Sequence, residues 1–174
     1  TGVYYLFNRD KELIYLNSSR NMQAAVNQHF TRQDRKGHKL RKEIREVQFE
    51  RTGGELMARL KAHVEVFDNR PAYNPPIQLE SKNNPQALRV NGTSYTLNGK
   101  NLLLVDKGRN QGEQSAIWLQ GPEVRGMGYY SLNHQINNIH ILESLLTPVK
   151  QYEGALHVIS EYLQEKRIAK AIEF

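Results

Sequence analysis

The stretch GVYYLFNRDKELIYLNSSRNMQAAV, residues 2–26, contains two β-prone runs followed by a helix-prone one. GVYYLF (2–7) and ELIYL (12–16) are rich in aromatic and β-branched residues, and NRDK between them supplies the Asn and Asp that short hairpin loops prefer. Met22, Val26 and either His29 or Phe30 then recur at helical spacing, with Ser18 or Ser19 as the expected N-cap. Tyr15 therefore stands on a strand just ahead of a helix.

Outward from this stretch, a second helix is expected over 36–46, with Leu40 and Ile44 inward and basic residues outward. VQFE (47–50) alternates like a half-buried strand. Thr52-Gly53-Gly54-Glu55 has the form of a capping box, followed by Leu56, Leu60, Val64 and Phe67 on one helical face. Pro71, Pro75 and Pro76 end that segment, and ESKNNPQ (80–86) reads as a linker. Beyond it, Asn91-Gly92 and Asn98-Gly99 are hairpin-type turns between the short strands RV, SYTL and NLLLVD. SAIWLQ (115–120) and GMGYYSL (126–132) continue the β pattern, with Trp118 as the core anchor. Ile136, Ile139, Leu142, Leu145 and Leu146 mark a helix closed by Pro148. Ala155, Val158, Ile159, Tyr162 and Leu163 mark another, and IAKAIEF ends the chain as a strand. The expected class is α+β. A small antiparallel sheet flanked by helices spans 1–79, and a β-hairpin plus two-helix unit spans 85–174. The opening at Thr1, without Met and inside a strand pattern, reads as a trimmed chain or a piece of a longer polypeptide.

Apolar residues make up 39% and charged residues 24% of the 174, within the range of folded globular chains rather than disordered ones. No apolar run approaches the roughly 18–20 residues that cross a bilayer, and no signal peptide opens the chain, so no membrane partner is expected. The absence of cysteine excludes a disulfide framework, a thiolate zinc site and a cysteine nucleophile, and fits a cytoplasmic location. The net charge is 24 − 18 = +6. Seven basic residues (Arg32, Arg35, Lys36, Lys39, Arg41, Lys42, Arg45) fall between Arg32 and Glu46, against Asp34, Glu43 and Glu46. Such a patch neutralises phosphates or forms a solvated helix face. The six histidines include no pair at a convincing metal spacing, and the glycines at 108, 112, 121, 126 and 128 read as turns and bulges rather than a phosphate loop. LNHQINNIHIL carries Asn and Gln at a helix start, suited to capping or to a polar partner interface.

The order hairpin, helix, basic helix, strand, helix, then RPAYN at 70–74, resembles the GIY-YIG nuclease superfamily. The likeness is to the UvrC-type domain, also found fused behind exonuclease domains of the polymerase III epsilon type. Gly2-Val3-Tyr4 matches the first name-giving motif and Ile14-Tyr15-Leu16-Asn17 sits where the second belongs. Arg70-Pro71-x-Tyr73-Asn74 matches the closing segment, so the likeness covers residues 1–75. The tail GYYSLNHQINNIHILESLLTP with IAKAIEF also resembles the C-terminal region of the exonuclease-linked proteins.

The resemblance implies phosphodiester cleavage with one divalent cation, Mg or Mn, held by a glutamate on the third helix. Two tyrosines orient or deprotonate the attacking water, an arginine on the first helix stabilises the phosphate charge, a lysine assists, and a late asparagine fixes the geometry. Tyr4, Tyr15 and Asn74 stand at matching positions. Asn17 replaces the glycine of the second motif and Ser18 the lysine. Ala25 stands at the arginine position, ten residues after Tyr15, and Ala62 at the glutamate position, twelve before Asn74. Losing either charged role typically costs about 10² to 10³-fold in rate. Glu65, three residues past position 62, is the best stand-in ligand, while Glu55 serves the capping box. Arg20 is placed to replace some of the missing positive charge.

Three readings follow. The chain is an active, metal-dependent, structure-selective DNA endonuclease. Or it is a degenerate nuclease fold that binds nucleic acid through Arg20, Arg35, Lys36, Lys39, Arg41 and Lys42, beside a covalently or non-covalently attached exonuclease domain and with no need of a metal. Or it is a protein-interaction module. The missing arginine and glutamate and the basic helix favour the second.

Overall fold

The computed structural model describes residues 1–77, 84–131, 139–150 and 153–174. The chain is an α+β protein that divides into two compact units, Thr1–Gln78 and Leu79–Phe174. In the first, strands β1 (Gly2–Phe7), β2 (Leu13–Ser19) and β3 (Glu46–Arg51) form an antiparallel sheet in the order β2-β1-β3. Helices α1 (Met22–Thr31) and α2 (Arg35–Glu43) join β2 to β3, and α3 (Glu55–Asn69) follows.

The β1–β2 loop is held by Asn8, whose side-chain oxygen accepts the backbone N–H groups of Asp10 and Glu12. Pleating of β1 sends its side chains to alternate faces. Tyr4 and Leu6 join Ile14, Val26, Leu40 and Ile44 on the face covered by α1 and α2. Val3 packs with Leu16 and Ala62 on the face covered by α3, with Tyr5 against them. Gly2 is dictated by close approach: a Cβ there would lie 2.0 Å from the Glu50 carbonyl oxygen on β3.

Several local expectations are corrected. β2 runs on to Ser19, because Ser18 and Ser19 pair with Val3 and Gly2, and Asn21 caps α1 by accepting from the Ala24 N–H. Of the two candidates on the inner face of α1, His29 is buried and Phe30 is exposed. The second helix ends at Glu43 rather than 46, since Ile44 takes extended backbone and leads into β3. No capping box forms. Gly54 occupies the N-cap of α3 without a side-chain bond, and Glu55 turns instead to Arg59 and Arg20. On β3 the expected alternation fails at Phe49, which is 52% exposed.

The second unit contains a hairpin of β4 (Ala87–Val90) and β5 (Thr93–Thr96) and a larger sheet. That sheet is formed by β6 (Asn101–Lys107), β7 (Glu113–Gln120), β8 (Glu123–Ser131), β9 (Leu146–Pro148) and β10 (Lys170–Glu173), in the order β10-β6-β7-β8-β9. Helices α4 (Ile139–Leu145) and α5 (Ala155–Glu165) complete it. Asn91-Gly92 forms the two-residue hairpin turn, both residues at positive φ (52° and 94°). Asn98-Gly99 turns the chain without joining paired strands, because β5 and β6 belong to different sheets. Leu146 lies on a strand rather than the helix. Gly126 and Gly128 sit inside β8 and let β9 approach: a Cβ on Gly128 would lie 3.2 Å from the Leu145 carbonyl oxygen. The Asn- and Gln-rich segment read as a partner surface lies, up to residue 138, outside the described residues.

Trp118 anchors a cluster of Leu103, Val105, Ala116, Tyr130 and Leu146, and its indole N–H donates to Asn101 Oδ1. Leu103 is fully buried there. Leu103→Ala should therefore destabilise this unit by about 2–5 kcal/mol. Fluorescence of Trp118, the only tryptophan, should show the loss in urea unfolding.

Candidate functional site

The register of the hairpin sets Tyr4 opposite Asn17 and Leu6 opposite Tyr15, so both tyrosines point to the α1/α2 face. Their ring centroids are 6.2 Å apart. His29 of α1 completes the group, edge-on to Tyr15 at 4.9 Å and 5.7 Å from Tyr4. Tyr4 Oη lies 2.8 Å from His29 Nε2. Burial, reinforced by Arg32, pushes the histidine below its ordinary range and favours the neutral ring. Burial first, then Tyr15, pushes the Tyr4 hydroxyl up. This phenol is held protonated, and its oxygen is hydrogen-bonded to His29. Tyr15 is half-buried, and its oxygen accepts from the exposed Asn17 side chain at 3.2 Å.

Asn74 holds this end of β2 in place. Its Oδ1 accepts the Leu16 N–H at 3.0 Å and its Nδ2 donates to the Leu16 carbonyl at 2.8 Å, so one amide satisfies both backbone groups at the strand edge. The Tyr73 N–H donates to the Ile14 carbonyl, and the Tyr73 hydroxyl donates to Glu43 at the end of α2. The segment reaches the edge because Arg70 closes α3 in the left-handed conformation, φ 45°.

Ala25 packs on the tyrosine face, whereas Ala62 is buried on the opposite one. Glu65 is also on the α3 side of the sheet and is not brought to Tyr4 or Tyr15. Its carboxylate pairs with Lys61 at 2.9 Å, and Lys61 reaches Glu50 on β3 at 3.3 Å. The Tyr5 hydroxyl donates to Glu50 and also bonds Glu65; burial and these carboxylates push it up. Burial opposes the Lys61 charge, but the two glutamates outweigh it and raise the ammonium's pKa. An ammonium thus stands between the carboxylates where a cation would have to sit. This donor set does not fit the divalent ion that the nuclease resemblance implies, and among the described residues no three acidic or histidine side chains converge.

The predicted basic residues separate into two kinds. Arg41 closes the end of α1: its guanidinium donates to the carbonyls of Phe30 (2.7 Å) and Arg32 (3.2 Å). Arg20 is exposed and faces Glu55 across 3.8 Å. Arg35, Lys36, Lys39 and Lys42 are exposed on α2, opposite the buried Gly37 and Leu40. Arg35, Lys39 and Lys42 follow the spacing that places them on one helical face. Asp34, the N-cap, bonds the Gly37 N–H and pairs with Arg32.

Sequence reasoning missed His29 as the partner of Tyr4. The available signal was its place three residues after Val26, on the buried face of α1. No family model matches the chain, and no curated protein matches it.

Folding keeps His29 neutral, so the unfolded chain binds its proton first as pH falls. The contribution is full above the ordinary value of 6.5 and is lost as pH drops through the lower folded value. The melting temperature should fall between pH 7 and pH 5, and His29→Gln, which keeps an acceptor without titrating, should reduce that fall. Equal falls in thermal melts of the two proteins would contradict this assignment.

Proposed function

We propose that the first unit is a nucleic-acid-binding module of GIY-YIG type that has lost its catalytic chemistry. In this reading it serves a cytoplasmic DNA-processing or repair protein and positions DNA for an exonuclease domain, in the same chain or a separate one. The observation that carries the reading is the outer face of α2, where Arg35, Lys36, Lys39 and Lys42 are exposed on one short helix. The Asp34 carboxylate caps this helix and bonds the Gly37 N–H, so the four outward cations are the charge left for phosphate.

Loss of chemistry is supported by the side chains present. Ala62 and Ala25 offer neither a ligand nor a phosphate clamp, and Glu65 is engaged by Lys61 across the sheet from the tyrosines. Tyr15, Asn17 and Asn74 would then keep the shape of the β2 end rather than move protons.

Binding to a branched or duplex DNA should weaken steeply with salt. Four phosphate contacts give a log–log slope of about −3.6, roughly a hundred-fold loss between 50 and 200 mM salt. Replacing Lys39 and Lys42 with Ala should lower the slope by about two and weaken binding to all sequences alike. No affinity at low salt would favour the interaction-module reading. Incubation of plasmid or branched DNA with Mg²⁺ or Mn²⁺ should leave it intact; nicking abolished by Tyr15→Phe would favour the endonuclease reading instead.

A further inference from the structure

The two edges of the first sheet are built differently. The outer side of β2 is occupied by the chain itself, through the Tyr73 N–H and the Asn74 amide. β3 is the terminal strand on the other side, and no strand among the described residues pairs with its outer edge. An open edge is a template for another strand, and natural proteins usually blunt it with charge or cover it. Here Phe49, in the middle of β3, is 52% exposed beside Tyr4 on the α1/α2 face.

We propose that β3 pairs antiparallel with β3 of a second copy of this chain, with Phe49 facing Phe49 across a two-fold axis. An axis normal to the sheet brings only same-face residues opposite each other, which restricts the register. Shifted one way, Glu46 meets Glu50 at both ends of the pairing. Shifted the other way, Glu50 meets Glu50 on the axis. Centred on residue 49, the pairs are Phe49 with Phe49, Gln48 with Glu50 and Val47 with Arg51, and no like charges meet. This register is compatible with either phase of the outward hydrogen bonds: residue 49 forms the axial bonded pair, or residues 48 and 50 form the bonded pairs beside it. The two aromatic rings then shield each other from water on the α1/α2 face. The surface is distinct from the α2 charge face and does not depend on the nucleic-acid reading.

The chain has no cysteine, so a single introduced thiol reports the register cleanly. Directly opposed antiparallel residues have Cα atoms within about 4.5–5.5 Å, inside disulfide reach, whereas diagonal ones lie about 7–8 Å apart. Under mild oxidation of the full chain, a mixture of Gln48→Cys and Glu50→Cys chains, which keep Phe49, should form a mixed covalent dimer at least about ten-fold faster than Gln48→Cys alone forms a homodimer. Sedimentation velocity across a roughly hundred-fold concentration range should show reversible dimerisation of the native chain. Phe49→Lys, at an exposed position and with unchanged circular dichroism, should stay monomeric. A native chain that remains monomeric, a Phe49→Lys variant that still dimerises, or equal oxidation rates for the mixture and for Gln48→Cys alone would each overturn the proposal. The first of these outcomes would leave the edge to a strand from a different protein.

Discussion

Tyr4 and Tyr5 are neighbours in sequence and lie on opposite faces of the central strand, and this pleat alternation organises the first unit. Because β1 has a strand on each side, its two side-chain rows can be covered only from above and below. Helices α1 and α2 supply one cover and α3 the other. Any inward residue of α1 is thereby joined to Tyr4 and Tyr15, and any inward residue of α3 is joined to Val3 and Tyr5. The separation of Ala25 from Ala62, and of Glu65 from the tyrosines, follows from this alternation rather than from loop conformation.

Each face carries a polar group against its apolar layer, and the two groups are made differently. On the α1 side the tyrosine and histidine are neutral, so their burial needs only one well-made hydrogen bond; such a bond contributes about 0.5–1.5 kcal/mol net, while leaving either group unpaired costs more. On the α3 side the groups are charged, and Lys61 links two carboxylates that would otherwise repel each other. The phenol of Tyr4 is held up in pKa by burial, and that of Tyr5 by burial together with Glu65 and Glu50.

Elements whose determinants lie within a few residues were legible in the sequence: the first hairpin, the apolar stripe of α3, the Asn91-Gly92 turn and the terminal strand. What was not legible depends on partners distant in the chain. Ser18 and Ser19 are good helix caps, yet pairing with β1 draws them into β2 and leaves Asn21 to cap. Leu146 fits a helical spacing, but Gly126 and Gly128 open a place for it on β8. Thr52 and Glu55 have the spacing of a capping box, and the glutamate is diverted by Arg59 and Arg20. At the candidate site, the positions of Tyr4, Tyr15 and Asn74 followed from motif spacing. The inference that Glu65 could replace a ligand at position 62 did not account for the sheet between that helix and the tyrosines.

Charge pairing distinguishes the two sides of the unit further. Around α3 the cations meet acids: Lys61 with Glu50 and Glu65, Arg59 and Arg20 with Glu55. Along α2, Lys36 and Lys39 are three apart, Arg35 and Lys39 four apart, and Lys39 and Lys42 three apart. Like charges at these spacings destabilise a helix by about 0.2–0.5 kcal/mol per pair, while the Asp34 N-cap carboxylate offsets the two cations of the first turn. Glu43, four residues after Lys39, accepts the Tyr73 hydroxyl and so serves the segment that carries Asn74. The helix is nevertheless kept by its N-cap, by burial of Leu40 and Ile44, and by Arg41 tying it to α1. A helix anchored from below while its outer face repels itself is arranged to hold positive charge in position. In the proposed reading, a bound polyanion would relieve that repulsion.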